Sequence, residues 1–201
     1  MKKTLFTLLL GVSGILYAQN PLLSGSTTGN VTAPTYNFEF VYDGTDLLLV
    51  TASYSTGFIY AIDFNASSDE GVHDWESNNI PDIMENIASI LGAAESDLSI
   101  WNMEMNPKTN AVVILVFDNA ASATYLFEAK NPLDIALISL DDVTYSRVKY
   151  TLDGNYIHDM EWSAEENKMY YAQGDFTLDA SVGFVETPFI HNTEATINAT
   201  S

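Results

Sequence analysis

Between residues 36 and 187, apolar and polar positions alternate at strand period more often than at helical period. In YNFEFVY, residues 36–42, Phe38, Phe40 and Tyr42 fall on one side of a strand. Asp43-Gly44 is a tight-turn signal, and Leu47 to Val50 opens an unbroken apolar run. A further strand is predicted over residues 58–64. The layout then returns. Residues 100–118 (IWNMEMNPKTNAVVILVFD) and 157–175 (IHDMEWSAEENKMYYAQGD) superpose so that Ile100 meets Ile157, Met103 meets Met160, Glu104 meets Glu161, Asn110 meets Asn167 and Asp118 meets Asp175. Met105 falls on Trp162, and in the earlier run Glu39 takes the place of Glu104. Each copy reads as an alternating strand, a polar turn and a second apolar strand, which is one hairpin of a repeated unit.

Around these hairpins the pattern predicts strands over residues 123–129, 135–140, 144–152, 181–187 and 193–197, separated by Asn, Asp, Gly and Pro turns. One segment breaks the period. In IPDIMENIASILG, residues 80–92, Ile80, Ile83, Met84, Ile87 and Leu91 share a helical face. Asn79 is positioned to cap the start, Pro81 and Asp82 sit in the first turn, and Gly92 closes the end. This helix is expected as an insertion, within residues 65–98, that packs its apolar stripe on the β body; the alternative is a lid. Residues 19–35 read as an extended entry segment.

Composition adds a compartment. Lys2 and Lys3, the apolar stretch of residues 5–16 and the small Ala18 form a secretory signal pattern, with cleavage expected near Ala18 and a secreted or periplasmic destination. There is no cysteine, so neither a disulfide framework nor thiolate chemistry is expected. A core must carry the stability, and 47% hydrophobic residues supply the material. Without Lys2 and Lys3, five of the seven basic residues remain against 27 acidic ones. Such a surface repels phosphate backbones and anionic lipid, so no nucleic acid and no membrane is expected as a partner of the mature chain.

The lines NMEMNPKTNAVVILV and DMEWSAEENKMYYAQ resemble the inner hairpin of secreted bacterial β-propeller repeats. The resemblance covers roughly residues 36–187 and lacks the Trp-Asp and Gly-His marks of WD40 repeats. It implies an all-β, propeller-like array of antiparallel blade sheets with one inserted helix, its blades near residues 36–98, 99–155 and 156–201. About three blades make an incomplete ring, since propellers close with about four or more. Further C-terminal blades or self-association would complete it, or the sheets stack as a sandwich; with further blades, the favoured reading, an open sheet face is expected at the C-terminal end.

The candidate chemistry is acidic. No nucleophile elbow, P-loop or dinucleotide fingerprint is present, and His73, His158 and His191 lack metal-ligand spacing. In a propeller-like array Glu39, Glu104 and Glu161 would meet around one axis, with Asn102 and Asp159 on the same strand faces. Clustered carboxylates there would raise one another's pKa or hold a hard cation such as Ca²⁺; simple exposure to channel water is the structural alternative. Asp175 and Asp179 form a second candidate cation pair, against ordinary turn roles. Trp75, in the polar insertion, is a candidate contact residue, whereas Trp101 and Trp162 are expected to pack. These features point to a binding module for a protein or glycan, with no resident cofactor. A metal-assisted hydrolase or lyase using the carboxylates is the alternative.

Overall fold

The computed structural model describes residues 20–31, 36–65, 72–73, 82–131, 133–150, 156–174 and 180–198. The expected signal segment lies outside these residues. Strands β1 (Leu23–Ser24), β2 (Thr27–Gly29), β3 (Phe38–Tyr42), β4 (Leu47–Ser53) and β5 (Phe58–Asp63) precede helix α1 (Ile83–Leu91). After it come β6 (Leu98–Met105), β7 (Val112–Asp118), β8 (Ala123–Asn131), β9 (Asp134–Leu137) and β10 (Val143–Lys149). The chain continues through β11 (Tyr156–Ser163), β12 (Lys168–Gly174), β13 (Ala180–Glu186), β14 (Phe189–Ile190), β15 (Thr193–Glu194) and β16 (Thr196–Asn198). The described residues are therefore mostly β, with several antiparallel sheets and one α-helix.

Three sheets form the body. The first has the order β3-β4-β5-β10, extended beyond β10 by β2 and β15; the second is β6-β7-β8-β9 and the third β11-β12-β13-β16. They lie in layers. Leu47, Leu49 and Phe38 of the first sheet pack with Val113, Leu115 and Leu126 of the second. On its opposite face Leu48, Val50 and Ile59 pack with Met160, Met169 and Tyr171 of the third. The first sheet is thus the middle layer, which is why all of β4 is buried and reads as a continuous apolar run.

That placement corrects the expected unit boundaries. The 144–152 strand was expected to lie within the unit of residues 99–155, but β10 pairs antiparallel with β5, from Tyr145 opposite Ile62 to Lys149 opposite Phe58. The reason is two-sided burial. Val148 and Tyr150 join the core shared with the third sheet, while Val143 and Tyr145 pack on the other side. Only the middle layer covers both faces. The strand expected over residues 193–197 is likewise divided: β15 joins β10, and β16 completes the third sheet.

Helix α1 covers the outer face of the second sheet, where Ile87 and Ala88 are buried with Ile114, Val116 and Phe127, and Ile83, Met84 and Leu91 pack around them. It is part of the core and not a lid. Its start differs from the expectation: Asp82, expected in the first turn, is the N-cap residue, in a left-handed conformation and with no side-chain capping bond. Asn79 and Pro81 lie outside the described residues. Gly92 ends the helix with φ 67°, its N–H reaching the Ala88 carbonyl.

The two hairpins aligned in the sequence share fine structure. The β6–β7 ladder shifts register between Ile100 and Asn102, and the β11–β12 ladder shifts between Ile157 and Asp159. Asn110 and Asn167, at matching places in the turns, both have positive φ. In the third sheet Gly183 lies opposite Tyr171. A Cβ at residue 183 would stand 2.2 Å from that ring, so only glycine fits. The other face of this sheet carries Tyr170, Ala172 and Phe184 half-buried and Val182 exposed, and belongs to none of the three cores. Among the described residues no helix is long and apolar enough to cross a membrane.

Candidate functional site

Edge strands of the three sheets, β6, β3 and β11, run next to one another with β3 in the middle. They belong to different sheets, so no backbone ladder joins them and side chains make the connection. Matching positions along the strands then stand in rows.

The lowest row is aromatic. Trp101 is the residue skipped by the register shift in β6, and the resulting bulge turns it outward, leaving it 37% exposed. It stacks on Phe117 with ring centroids 4.2 Å apart and on Tyr36 at 5.1 Å. Tyr36 meets the edge of Tyr156 at 5.5 Å, and Tyr156 stacks on Tyr54 at 4.0 Å. The row therefore passes from the second sheet to the first and on to the third. A hydroxyl hydrogen bond to Tyr54 pushes Tyr156 up to about 12. Trp101 was expected to be core packing and is instead a surface member of this row. Trp162 does pack against the core between the first and third sheets.

Next along the strands come Asn102, Asn37 and Asp159. Each side chain accepts a hydrogen bond from the following backbone N–H, those of Met103 (2.8 Å), Phe38 (2.8 Å) and Met160 (3.0 Å). The Nδ2 group of Asn102 donates to Oδ1 of Asn37 and, at 3.1 Å, to the Phe38 carbonyl. Nδ2 of Asn37 donates in turn to Oδ1 of Asp159 at 3.3 Å. The relay ends at Asp159, on the third sheet.

Two residues further stand Glu104, Glu39 and Glu161, which the structure brings within electrostatic reach of one another. Burial, reinforced by Glu104, Glu161 and Asp159, holds the Glu39 carboxyl up to about 7, against the opposing pull of the hydrogen bond it accepts from Phe40 N–H. Glu104 is also raised, first by burial and then by Asp159 and Glu161. Among the described residues, no three carboxylate or imidazole groups come close enough to hold one metal ion. Glu39, Glu104, Glu161, Asn102 and Asp159 thus gather in one region. Trp75, Asp175 and Asp179 lie outside the described residues.

Asn37, Tyr36, Tyr54 and Tyr156 were not anticipated. For the first two a signal exists: Tyr36, Trp101 and His158 each stand three residues before the matched glutamates, and Asn37, Asn102 and Asp159 two before. Tyr54 and Tyr156 reach the row from strand ends whose meeting no local pattern encodes.

No family model, no curated protein and no solved structure matches this chain.

Proposed function

We propose that the chain is a secreted, propeller-type array of repeated sheets serving as a binding module, and that its contact surface is the end of β6, β3 and β11 bearing the aromatic and amide rows. The matched bulges, the face-to-face layers and the parallel rows of equivalent residues support the repeat reading. The observation that carries the binding reading is the exposed edge of the row: Trp101 and Tyr36 are each 37% exposed and Tyr54 is 43% exposed, directly beside Asn102, Asn37 and Asp159. Tyrosine and tryptophan rings gathered in one partly exposed row pair an apolar body with a polar tip, which suits a contact surface. Trp101 is already stacked on Tyr36 and Phe117, so the surface offers ring edges, hydroxyls, an amide and a carboxylate. Those groups suit a polyhydroxylated ligand, and a glycan is the favoured class.

The test is binding of the full chain to a glycan array and to a panel of extracellular proteins, with Trp101→Ala and Tyr54→Ala as controls. Glycan binding lost in both variants supports the proposal. Signals confined to proteins would replace the glycan class, and no binding in either panel would remove the binding reading.

One observation favours a second reading. Glu39 holds its proton to about 7 beside other carboxylates, which is the acid and base pairing that hydrolases and lyases use. Turnover of a bound glycan that Glu39→Gln abolishes while leaving affinity intact would move the function to catalysis. A Ca²⁺-dependent rise in melting temperature would identify the metal-assisted form.

A further inference from the structure

We propose that the seam between β6, β3 and β11 is a pH-gated junction: the three sheets dock closely while a seam carboxyl is protonated, and loosen against one another once all are ionised. At the seam no backbone ladder joins the sheets, which are otherwise held together by the buried cores on the two faces of the middle layer. Each sheet is held internally by its own ladder, and among the described residues the polar links across the seam include the Asn102, Asn37 and Asp159 relay and the bond from Asn102 to the Phe38 carbonyl. The carboxylates lie two residues beyond this relay, on the same strands.

Apart from the Phe40 N–H, from which Glu39 accepts a hydrogen bond, the groups around Glu39 are acidic or apolar. From β6 it faces Glu104, and from β11 it faces Asp159 and Glu161. From β4 its register partner is Val50, a fully buried core residue. Glu104 in turn lies opposite Val113 of β7, also fully buried. No cation answers them, because the basic residues of the described chain are engaged or placed elsewhere. Lys108 reaches Asn65, Lys130 pairs with Glu128, and Lys168 lies between Glu166 and Glu186. Arg147 lies over Phe58 and bonds Asn192, and Lys149 stands on β10, paired with Phe58 and Glu194 in register.

The sign of the effect follows from the direction of the shift. An unfolded glutamate titrates near 4.5, whereas folded Glu39 keeps its proton to about 7. Between those values the folded chain binds the extra proton. The stability that this proton confers is therefore full below about 4.5 and is lost as pH climbs to about 7. The raised Glu104 adds in the same direction.

The aromatic row is a built-in reporter, since Trp101, Tyr36 and Tyr156 belong to the second, first and third sheets or the segments leading into them. Near-ultraviolet circular dichroism and melting temperature of the full chain are measured near pH 5 and near pH 8.5. Glu39→Gln and Glu104→Gln are compared with Glu85→Gln, which removes one charge from the exposed face of α1. The expected result is a fall of about 4 °C or more in melting temperature and a weakened aromatic signal at the higher pH. Glu39→Gln suppresses most of both changes, and Glu85→Gln preserves them. An unchanged melting temperature and spectrum in the parent chain would overturn the proposal, as would a Glu39→Gln variant behaving like Glu85→Gln. If Glu39→Gln does not fold, Glu104→Gln carries the same expectation and the same refutation.

Discussion

Asn102 donates its side-chain N–H to the side-chain oxygen of Asn37, and the two residues occupy matching positions, two before Glu104 and two before Glu39, Asn102 on β6 and Asn37 immediately before β3 of the adjacent sheet. The bond makes one repeated position touch the next across an interface without a backbone ladder. Asn37 passes the contact on to Asp159, so a single side chain joins three layers.

Asn37→Ala should therefore cost more than a surface asparagine. It leaves Asn102 with only the Phe38 carbonyl and Asp159 with only the Met160 N–H, and because these groups are half-buried or exposed the expected cost is that of the lost hydrogen bonds, about 0.5–1.5 kcal/mol. Urea denaturation measures this, and a change within about 0.5 kcal/mol, the range of ordinary surface substitutions, would show the relay to be incidental.

Gly183→Ala introduces a methyl group against the Tyr171 ring, whose nearest atom is 2.2 Å from the ideal Cβ position. Overpacking of this kind costs about 1–3 kcal/mol. Because the ring must move, the double variant with Tyr171→Leu should recover part of the loss. Equal melting temperatures for the single variant and the parent would show that the sheet yields freely at this point.

Two buried hydroxyls work against the fold. The OH groups of Tyr150 and Tyr171 have no hydrogen-bond partner among the described residues, although both side chains are nearly inaccessible. Replacing either tyrosine by phenylalanine should be neutral or stabilising by about 1 kcal/mol, since an unsatisfied polar group is removed and the shape is kept. Burial also pushes both phenols up to about 12, from an ordinary 10.0. Their neutral form supports the fold up to about 10 and that support is lost toward about 12, so absorbance at alkaline pH should show them ionising together with unfolding.

Ile87→Ala distinguishes a packed helix from a moving one. Ile87 is fully buried against the second sheet, and truncation should cost about 2–5 kcal/mol. A lid would lose little stability and change ligand access instead. Thermal unfolding of the variant separates the outcomes.

Local pattern carried a large part of the architecture. Period-two alternation marks β3, β6 and β11, Asp43-Gly44 marks the first turn, and the stripe Ile83, Met84, Ile87 and Leu91 with Gly92 marks α1. Matched spacing also marked Glu39, Glu104, Glu161, Asn102 and Asp159 as one region. These features are legible because they depend on neighbours within a few residues, where side-chain direction follows from backbone period.

Other features depend on partners far along the chain. Nothing local shows that β10 pairs with β5, because its alternating residues would suit any open sheet edge and only burial on both faces selects the middle layer. Trp101 looks like a core residue until the bulge turns it outward into the row with Tyr36. By itself, then, the sequence determined the strands, the helix and the positions of the acidic side chains. Tertiary structure decided the order of the layers, the exposure of the aromatics and the pairing of Asn37, since each depends on which distant surfaces exclude water together.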